Sequence, residues 1–230
     1  MADARISVLC SGNGTNLQAL IDSCASDAPD SIRGKVVKVT VNRKGAYATT
    51  RAEKASIPTD YFNLVKDGYH ALGEKDPGKV KQARLRYDAA LADRILKDKP
   101  DLIVLAGWMH VLTTNFLHPV SEAGVPIINL HPALPGLYDG AGAIERAYED
   151  FKAGKLEDNT TGIMIHYVIA DVDRGEPILV QKVKIEEGES LEDLEQKIHG
   201  YEHELIVKAT ALLAEKITAA KASKTSSEGY

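Results

Sequence analysis

Residues 102–106 read Leu-Ile-Val-Leu-Ala, five apolar side chains in a row between Asp101 and Gly107. Successive side chains of a strand point to opposite faces, so a strand with no polar alternate must be covered on both. That is the situation of a central strand in a parallel sheet, with helices above and below it. Such a sheet needs neighbours of the same kind, and the chain supplies them. Residues 5–10 form an apolar strand, residues 35–42 alternate Val36, Val37, Val39 and Val41 with polar residues, and residues 125–128 are a short buried strand. Helical spacing separates them, from Thr15 with Leu17, Leu20 and Ile21, over 46–55, and over 80–97 with Leu85, Leu91, Ile95 and Leu96 before Pro100. A further strand is expected over 60–63 and a surface loop over 65–79, where Gly and Pro interrupt any period.

The second half changes character. After a helix over 141–152, residues 161–169 and 178–185 read as two extended strands joined by the acidic turn Ala-Asp-Val-Asp-Arg-Gly-Glu-Pro, which fits an antiparallel pair. A capping-box-like Ser190 then starts a long helix with Leu191, Leu194, Ile198, Tyr201, Leu205 and Leu212 on its inner stripe. From Ala219 the chain offers little to bury, and a disordered tail is expected over 219–230. The fold class is therefore α/β: a single domain over residues 1–218, with a mostly parallel central sheet, helices on both faces and an antiparallel strand pair near the C-terminal part. A chain of 230 residues can bury such a core unaided.

Three strand exits carry chemistry. After the first strand, Ser11, Gly12, Asn13, Gly14, Thr15 and Asn16 turn into a helix, so backbone N–H groups and a helix start can face an anion; a tight structural turn fits the same residues. A dinucleotide fingerprint needs another glycine where Leu17 stands. After residues 102–106 comes Gly-Trp-Met-His-Val-Leu, and its Trp108, Met109 and Leu112 read first as packing residues. After residues 125–128, Asn129 and His131 follow at a spacing of two, which puts an amide and an imidazole on one face; Pro132 and the turn at Pro135-Gly136 hold them at a rigid exit. The glycine-rich stretch 135–142 has no site role on this reading. Net charge −5 argues against a nucleic-acid partner, and no apolar span or signal segment suggests a membrane. Two cysteines, Cys10 and Cys24, are expected to be reduced in a cytoplasmic protein, and no cluster has the spacing of a metal site.

Residues 11–16, Leu-Ala-Gly-Trp-Met-His-Val-Leu at 105–112, Ile-Asn-Leu-His-Pro at 128–132, and Gly-Ile-Met-Ile-His at 162–166 with Asp173 seven residues on together resemble the phosphoribosylglycinamide formyltransferases, folate-dependent enzymes of purine synthesis. The resemblance spans about 210 residues, from the first strand to the last helix. It implies a Rossmann-like formyltransferase domain that moves a formyl group from 10-formyltetrahydrofolate, the co-substrate, to the glycine amine of glycinamide ribonucleotide, without a metal. It implies catalytic Asn129, His131 and Asp173. For the nucleotide it implies Gly12, Asn13, Gly14, Thr15 and Asn16 at the phosphate, and His199, Gly200, Tyr201 and Glu202, with Glu202 on ribose. For folate it implies Arg84 on the glutamate carboxylate, and Met109, His110, Val111, Leu112, Asn129, Ile169, Ala170, Asp171, Val172 and Asp173 around the pteridine. His110 departs from the arginine common there. The chemistry suits these groups: Asn129 and a protonated His131 can stabilise an oxyanion, and a neighbouring Asp173 is expected to raise the His131 pKa. Partners are then small-molecule substrates only, with the protein a monomer or homodimer. Formyltetrahydrofolate deformylase and methionyl-tRNA formyltransferase resemble the chain around Asn129 and His131, but each is expected to need a further domain beyond 230 residues. A non-catalytic nucleotide-binding module explains the glycine turn but not the coincidence of Asn129, His131 and Asp173.

Overall fold

A computed structural model of the chain describes residues 3–227. One seven-stranded sheet runs through it in the order β3-β2-β1-β4-β5-β6-β7. The strands are β1 (Ala4–Cys10), β2 (Gly34–Val41), β3 (Thr59–Tyr61), β4 (Leu102–Leu105), β5 (Ile127–His131), β6 (Thr160–Tyr167) and β7 (Pro177–Lys184). Pairing is parallel from β3 through β5, then antiparallel between β5 and β6 and between β6 and β7. The apolar strand β4 is indeed central, its four residues buried between β1 and β5.

Two cores cover the two faces. Helices α1 (Thr15–Cys24), α2 (Ala48–Lys54), α5 (Ala143–Lys152) and α6 (Leu191–Ser227) lie on one side, and α3 (Pro77–Lys97) and α4 (Thr114–Glu122) on the other. Phe62 and Tyr87 stack at 4.5 Å in the second core, and the Tyr87 hydroxyl donates to the Phe62 carbonyl at 2.8 Å, so this large aromatic is buried with its polar atom satisfied. Among the described residues no helix is long and apolar enough to cross a membrane.

Four expectations need correction. Helix α4 is not among the helices expected above; it carries Pro119 inside it, and its amphipathic spacing buries Phe116 and Val120. Helix α3 starts at Pro77, inside the expected loop, since Asp76 caps it by accepting from Lys79 N at 2.9 Å. On α6, Tyr201 and Leu212 turn outward, and the buried stripe runs instead through Leu194, Ile198, Glu202, Leu205, Ala209 and Leu213. The helix also continues past Ala219 to Ser227, where a tail was expected; Ala and Lys are strong helix formers, and the Lys221 ammonium reaches back to Asp101. Residues 228–230 of that expected tail lie outside the described residues.

The order of strands makes the site. The chain moves outward from β1 to β2 and β3, then returns to place β4 on the other side of β1, so the loops after β1 and β4 diverge at their carboxyl ends. They stay tied together: Ser11 N donates to Gly107 O at 3.0 Å, and Met109 N to Ser11 Oγ at 2.9 Å.

Candidate active site

Strand β5 does not stop at Ile128 but extends through His131, which is why Asn129 and His131 share a face. Its antiparallel partner β6 sets Asn129 opposite His166 and His131 opposite Met164. The turn between β6 and β7 then brings a carboxylate over this pair. Gly175 is packed so closely that a Cβ would fall 1.6 Å from Tyr167 O, so only glycine lets the turn fold back this far. Asp173 takes the left-handed conformation, φ 54°, a backbone state that aspartate tolerates better than most residues.

Four side chains meet there. Asp173 Oδ2 lies 3.4 Å from His131 Nδ1, and Asp173 Oδ1 lies 3.5 Å from His166 Nε2. Asn129 Nδ2 donates to Asp173 Oδ1 at 3.3 Å and lies 3.3 Å from His166 Nε2. The outer nitrogens are held by backbone: His166 Nδ1 is 2.9 Å from Tyr167 O, and His131 Nε2 is 3.3 Å from Leu137 O. Gly140 N donates to Asp173 Oδ2 at 2.8 Å. Asp171, by contrast, is exposed, and among the described residues the ion pairs of both histidines are with Asp173.

The electrostatics correct one expectation. Burial pulls the His131 pKa down, and although Asp173 pulls it up, the net shift is downward. His131 is therefore neutral near pH 7, not an imidazolium held by Asp173. For Asp173, burial alone would raise the pKa, but the hydrogen bonds from His166 and Gly140 and the charges of His131 and His166 outweigh it and hold the carboxyl low. The stretch 135–142, given no role from sequence, closes over this cluster: Leu137 and Gly140 contribute backbone groups, and Asp139 pairs with Arg174 at 2.6 Å. His166 was visible in sequence only as a strand residue; the antiparallel register, which brings it beside Asn129, was the missing signal.

The turn after β1 is built from backbone. Gly14 caps α1 at φ 76°, and a Cβ there would lie 2.8 Å from the Ala48 side chain and 2.9 Å from its Cα. Gly12, Asn13 and Thr15 complete the turn, and the N–H groups of the first helical turn have no partner within the helix. Asn16 reaches α6, where its Nδ2 donates to Glu202 Oε2 at 3.4 Å; its Oδ1 and the nearby His203 Nε2 are buried and have no hydrogen-bond partner among the described residues. Burial raises the Glu202 pKa against the opposing effects of His199 and Asn16. His199, Gly200 and Tyr201 lie on the more exposed turn of α6 just before it. Arg51 was not foreseen: its guanidinium grips Asn13 from α2.

The loop after β4 is not a helix. Trp108 and Leu112 are buried as packing residues, whereas Met109 and Val111 are 57% and 60% exposed. Arg84 holds this loop by donating to Val111 O at 2.7 Å and to His110 Nδ1 at 2.5 Å, with Asp88 at 3.6 Å behind it. Burial first, and the charge of Arg84 second, push the His110 pKa down to about 4, so the imidazole is neutral and free to accept. A cleft of about 520 Å³ is lined by Leu117 and His118 of α4 and by Ile127, Val168, Ile169 and Ala170. Residues 109–112 and the cluster around Asn129 do not line this cleft, and Val172 is exposed at the turn.

An amide, two imidazoles and a low-pKa carboxylate at a strand exit, on the same carboxyl edge of the sheet as the glycine turn after β1, suit acyl-group transfer to an amine. Residues 4–210 match the model of the formyl transferase family. The chain belongs to that family. It is 46% identical over 208 residues to the phosphoribosylglycinamide formyltransferase of Schizosaccharomyces pombe, covering 90% of this chain and 95% of that one. The Saccharomyces cerevisiae enzyme of the same name is 42% identical, with 90% and 95% covered. Among solved structures, a glycinamide ribonucleotide transformylase from Symbiobacterium toebii superposes with a TM-score of 0.75 at 32% identity, covering 93% of this chain and 89% of that one. This chain is accordingly an enzyme of the formyl transferase type, and the seven-stranded sheet with its antiparallel β5-β6-β7 part is the fold of these relatives.

Proposed function

We propose that this formyl transferase moves the formyl group of 10-formyltetrahydrofolate to the amine of 5′-phosphoribosylglycinamide in the cytoplasm, giving the formylamide and tetrahydrofolate. The meeting of Asn129, His131 and Asp173 at the exit of β5 carries this reading, and the names of the relatives support it. The amine nitrogen attacks the formyl carbon, and its carbonyl oxygen takes the displaced electron pair. Asn129 Nδ2 and the His131 ring donate to that oxyanion, and the charge developing beside His131 raises its affinity for a proton during the step. The bond from carbon to the folate nitrogen then breaks, and the proton lost by the amine, taken up by the ionised carboxylate of Asp173 directly or through water, is passed on to that nitrogen.

The pteridine lies between Met109, His110, Val111 and Leu112 of the loop after β4 and Ile169, Ala170, Asp171 and Val172 of the turn after β6, with Arg84, which already holds Val111 O, available to the glutamate carboxylate. The turn from Gly12 to Asn16 takes the nucleotide phosphate, and His199, Gly200, Tyr201 and Glu202 the ribose side. A spectroscopic assay of folate deformylation, run with and without glycinamide ribonucleotide, tests the reading. Turnover is expected only with the amine present; turnover in its absence makes the protein a deformylase instead.

A further inference from the structure

Helix α2 touches the turn after β1 at three points, and the third is a charged one. Ala48 N donates to Gly12 O at 3.2 Å, and Ala48 packs against Gly14 with no room for a side chain. One turn along, Arg51 Nε donates to Asn13 O at 2.9 Å, Nη2 to Asn13 Oδ1 at 3.0 Å and Nη1 to Gln18 Oε1 at 3.3 Å. The guanidinium also lies 5.1 Å over the Tyr47 ring, so its plane is fixed from two sides. A guanidinium carries five N–H groups, and these bonds use three, leaving one on each Nη together with the positive charge. That charge is felt on α6: burial, His199 and Arg51, in that order, lower the His203 pKa. Arg51 and His199 thus flank the place where Asn16 meets Glu202.

We propose that Arg51 is a positioning residue for the phosphate end of the nucleotide substrate: its fork fixes the orientation of Asn13 and the turn, and its charge favours a dianion there. The proposal rests on the function proposed above. A lysine can supply the charge but not the fork, because its single ammonium cannot bond a main-chain oxygen, an amide oxygen and Gln18 in one plane. A role in general packing makes a different forecast, since loosening α2 against the sheet weakens any substrate, while a turn braced and charged to receive phosphate matters only to phosphorylated ones.

The test compares glycinamide ribonucleotide with the unphosphorylated glycinamide riboside, using the full chain. Arg51→Met is expected to raise KM for the ribonucleotide by about tenfold to a hundredfold, the range for a lost charge-assisted hydrogen bond. Its kcat, its KM for the folate and its kcat/KM for the riboside should stay at wild-type values, and Arg51→Lys should fall between. If Arg51→Met does not fold, the same comparison is made on Arg51→Lys, where a smaller ribonucleotide-only effect is expected. An equal loss with both substrates, no loss with either, or a fall in kcat at constant KM overturns the proposal. Wild-type protein that handles riboside and ribonucleotide alike overturns the nucleotide reading as well, and is recognisable before any variant is made.

Discussion

The two ends of the sheet's carboxyl edge are built on opposite plans. At the β1 end the groups proposed to meet the phosphate are main-chain N–H groups, and side chains from α2 and α6 brace the turn: Ala48 under Gly14, Arg51 on Asn13, Glu202 on the Asn16 side chain. At the β5 end the reactive groups are side chains, and main-chain groups hold them: Tyr167 O on His166, Leu137 O on His131, Gly140 N on Asp173. The first plan suits a fixed, full charge such as phosphate, which backbone dipoles can meet without titrating. The second suits a reaction in which charge appears and leaves, which needs groups that exchange protons. A substitution should therefore act on binding and folding at the first end and on rate at the second.

The largest expected effect lies at the β5 end and sets two aspartates of one turn against each other. Asp173→Asn keeps the size and most hydrogen bonds of the side chain but removes the charge beside His131 and the proton acceptor. The rate should fall at least about a hundredfold, the low end for a lost acid-base group. Asp171 is exposed, and the ion pairs of both histidines are with Asp173, so Asp171→Asn should cost far less. The His131 pKa, already lowered by burial, should fall further in the Asp173 variant, since the largest of its upward influences, ahead of Leu137 O and Asp139, is gone. NMR titration of the imidazole reads this; an unchanged His131 pKa together with a dead Asp171→Asn enzyme would assign the carboxylate to Asp171.

The second effect tests the β1 end, where two glycines of one turn should behave differently. Gly14→Ala places a Cβ within 2.8 Å of Ala48 on a backbone at φ 76°, and the left-handed conformation alone costs an alanine about 1 kcal/mol. With the clash added, a loss of about 2 kcal/mol or more is expected in urea unfolding, with nucleotide binding lost alongside. At Gly12 nothing lies within 4 Å of an added Cβ. Gly12→Ala should therefore leave stability nearly unchanged and weaken only the nucleotide, because its methyl group stands where an anion approaches. Equal stability losses at the two glycines would show that the turn is a structural unit without the division of labour argued here.

Legibility in the sequence followed the same division. The β1 turn was readable because its residues are contiguous; of its braces Glu202 came only from resemblance and Arg51 not at all, because both lie on helices whose patterns describe only which face is buried. Glu202 even sits inside the buried stripe of α6, where a carboxylate breaks the apolar pattern that locates a core. At the β5 end Asn129 and His131 were readable from a strand period, and Asp173 from resemblance. His166 needed a pairing register, and Leu137 and Gly140 act through backbone atoms, which residue identity does not reveal. The His131 protonation state was misjudged for a related reason: a nearby carboxylate can be guessed from motif spacing, whereas the burial that outweighs it cannot.

The smallest effect concerns the loop between the two ends, where Arg84 and His110 share a short contact. In the folded protein the His110 pKa lies at about 4, against an ordinary 6.5, because burial and the adjacent guanidinium both oppose a second cation. A base whose pKa is lower folded than unfolded takes up its proton in the unfolded chain first. Its contribution to stability is therefore complete above pH 6.5, shrinks as the pH falls, and levels off below about 4. His110→Gln keeps an oxygen able to accept from Arg84 and removes the titration. Across the window from 6.5 to 4 the variant should lose less stability than the wild type, by about 1 kcal/mol once solvent screening of this partly exposed group is allowed for. His131 and His203 are also lowered, and the carboxyl of Asp173 loses its contribution as acid protonates it, so both proteins still weaken in acid. The informative quantity is the difference between the two unfolding curves at each pH. Parallel curves from pH 7 to 4 would mean that His110 is protonated in the folded state, which Arg84 at hydrogen-bonding distance opposes, and the loop would then be held by Val111 O alone.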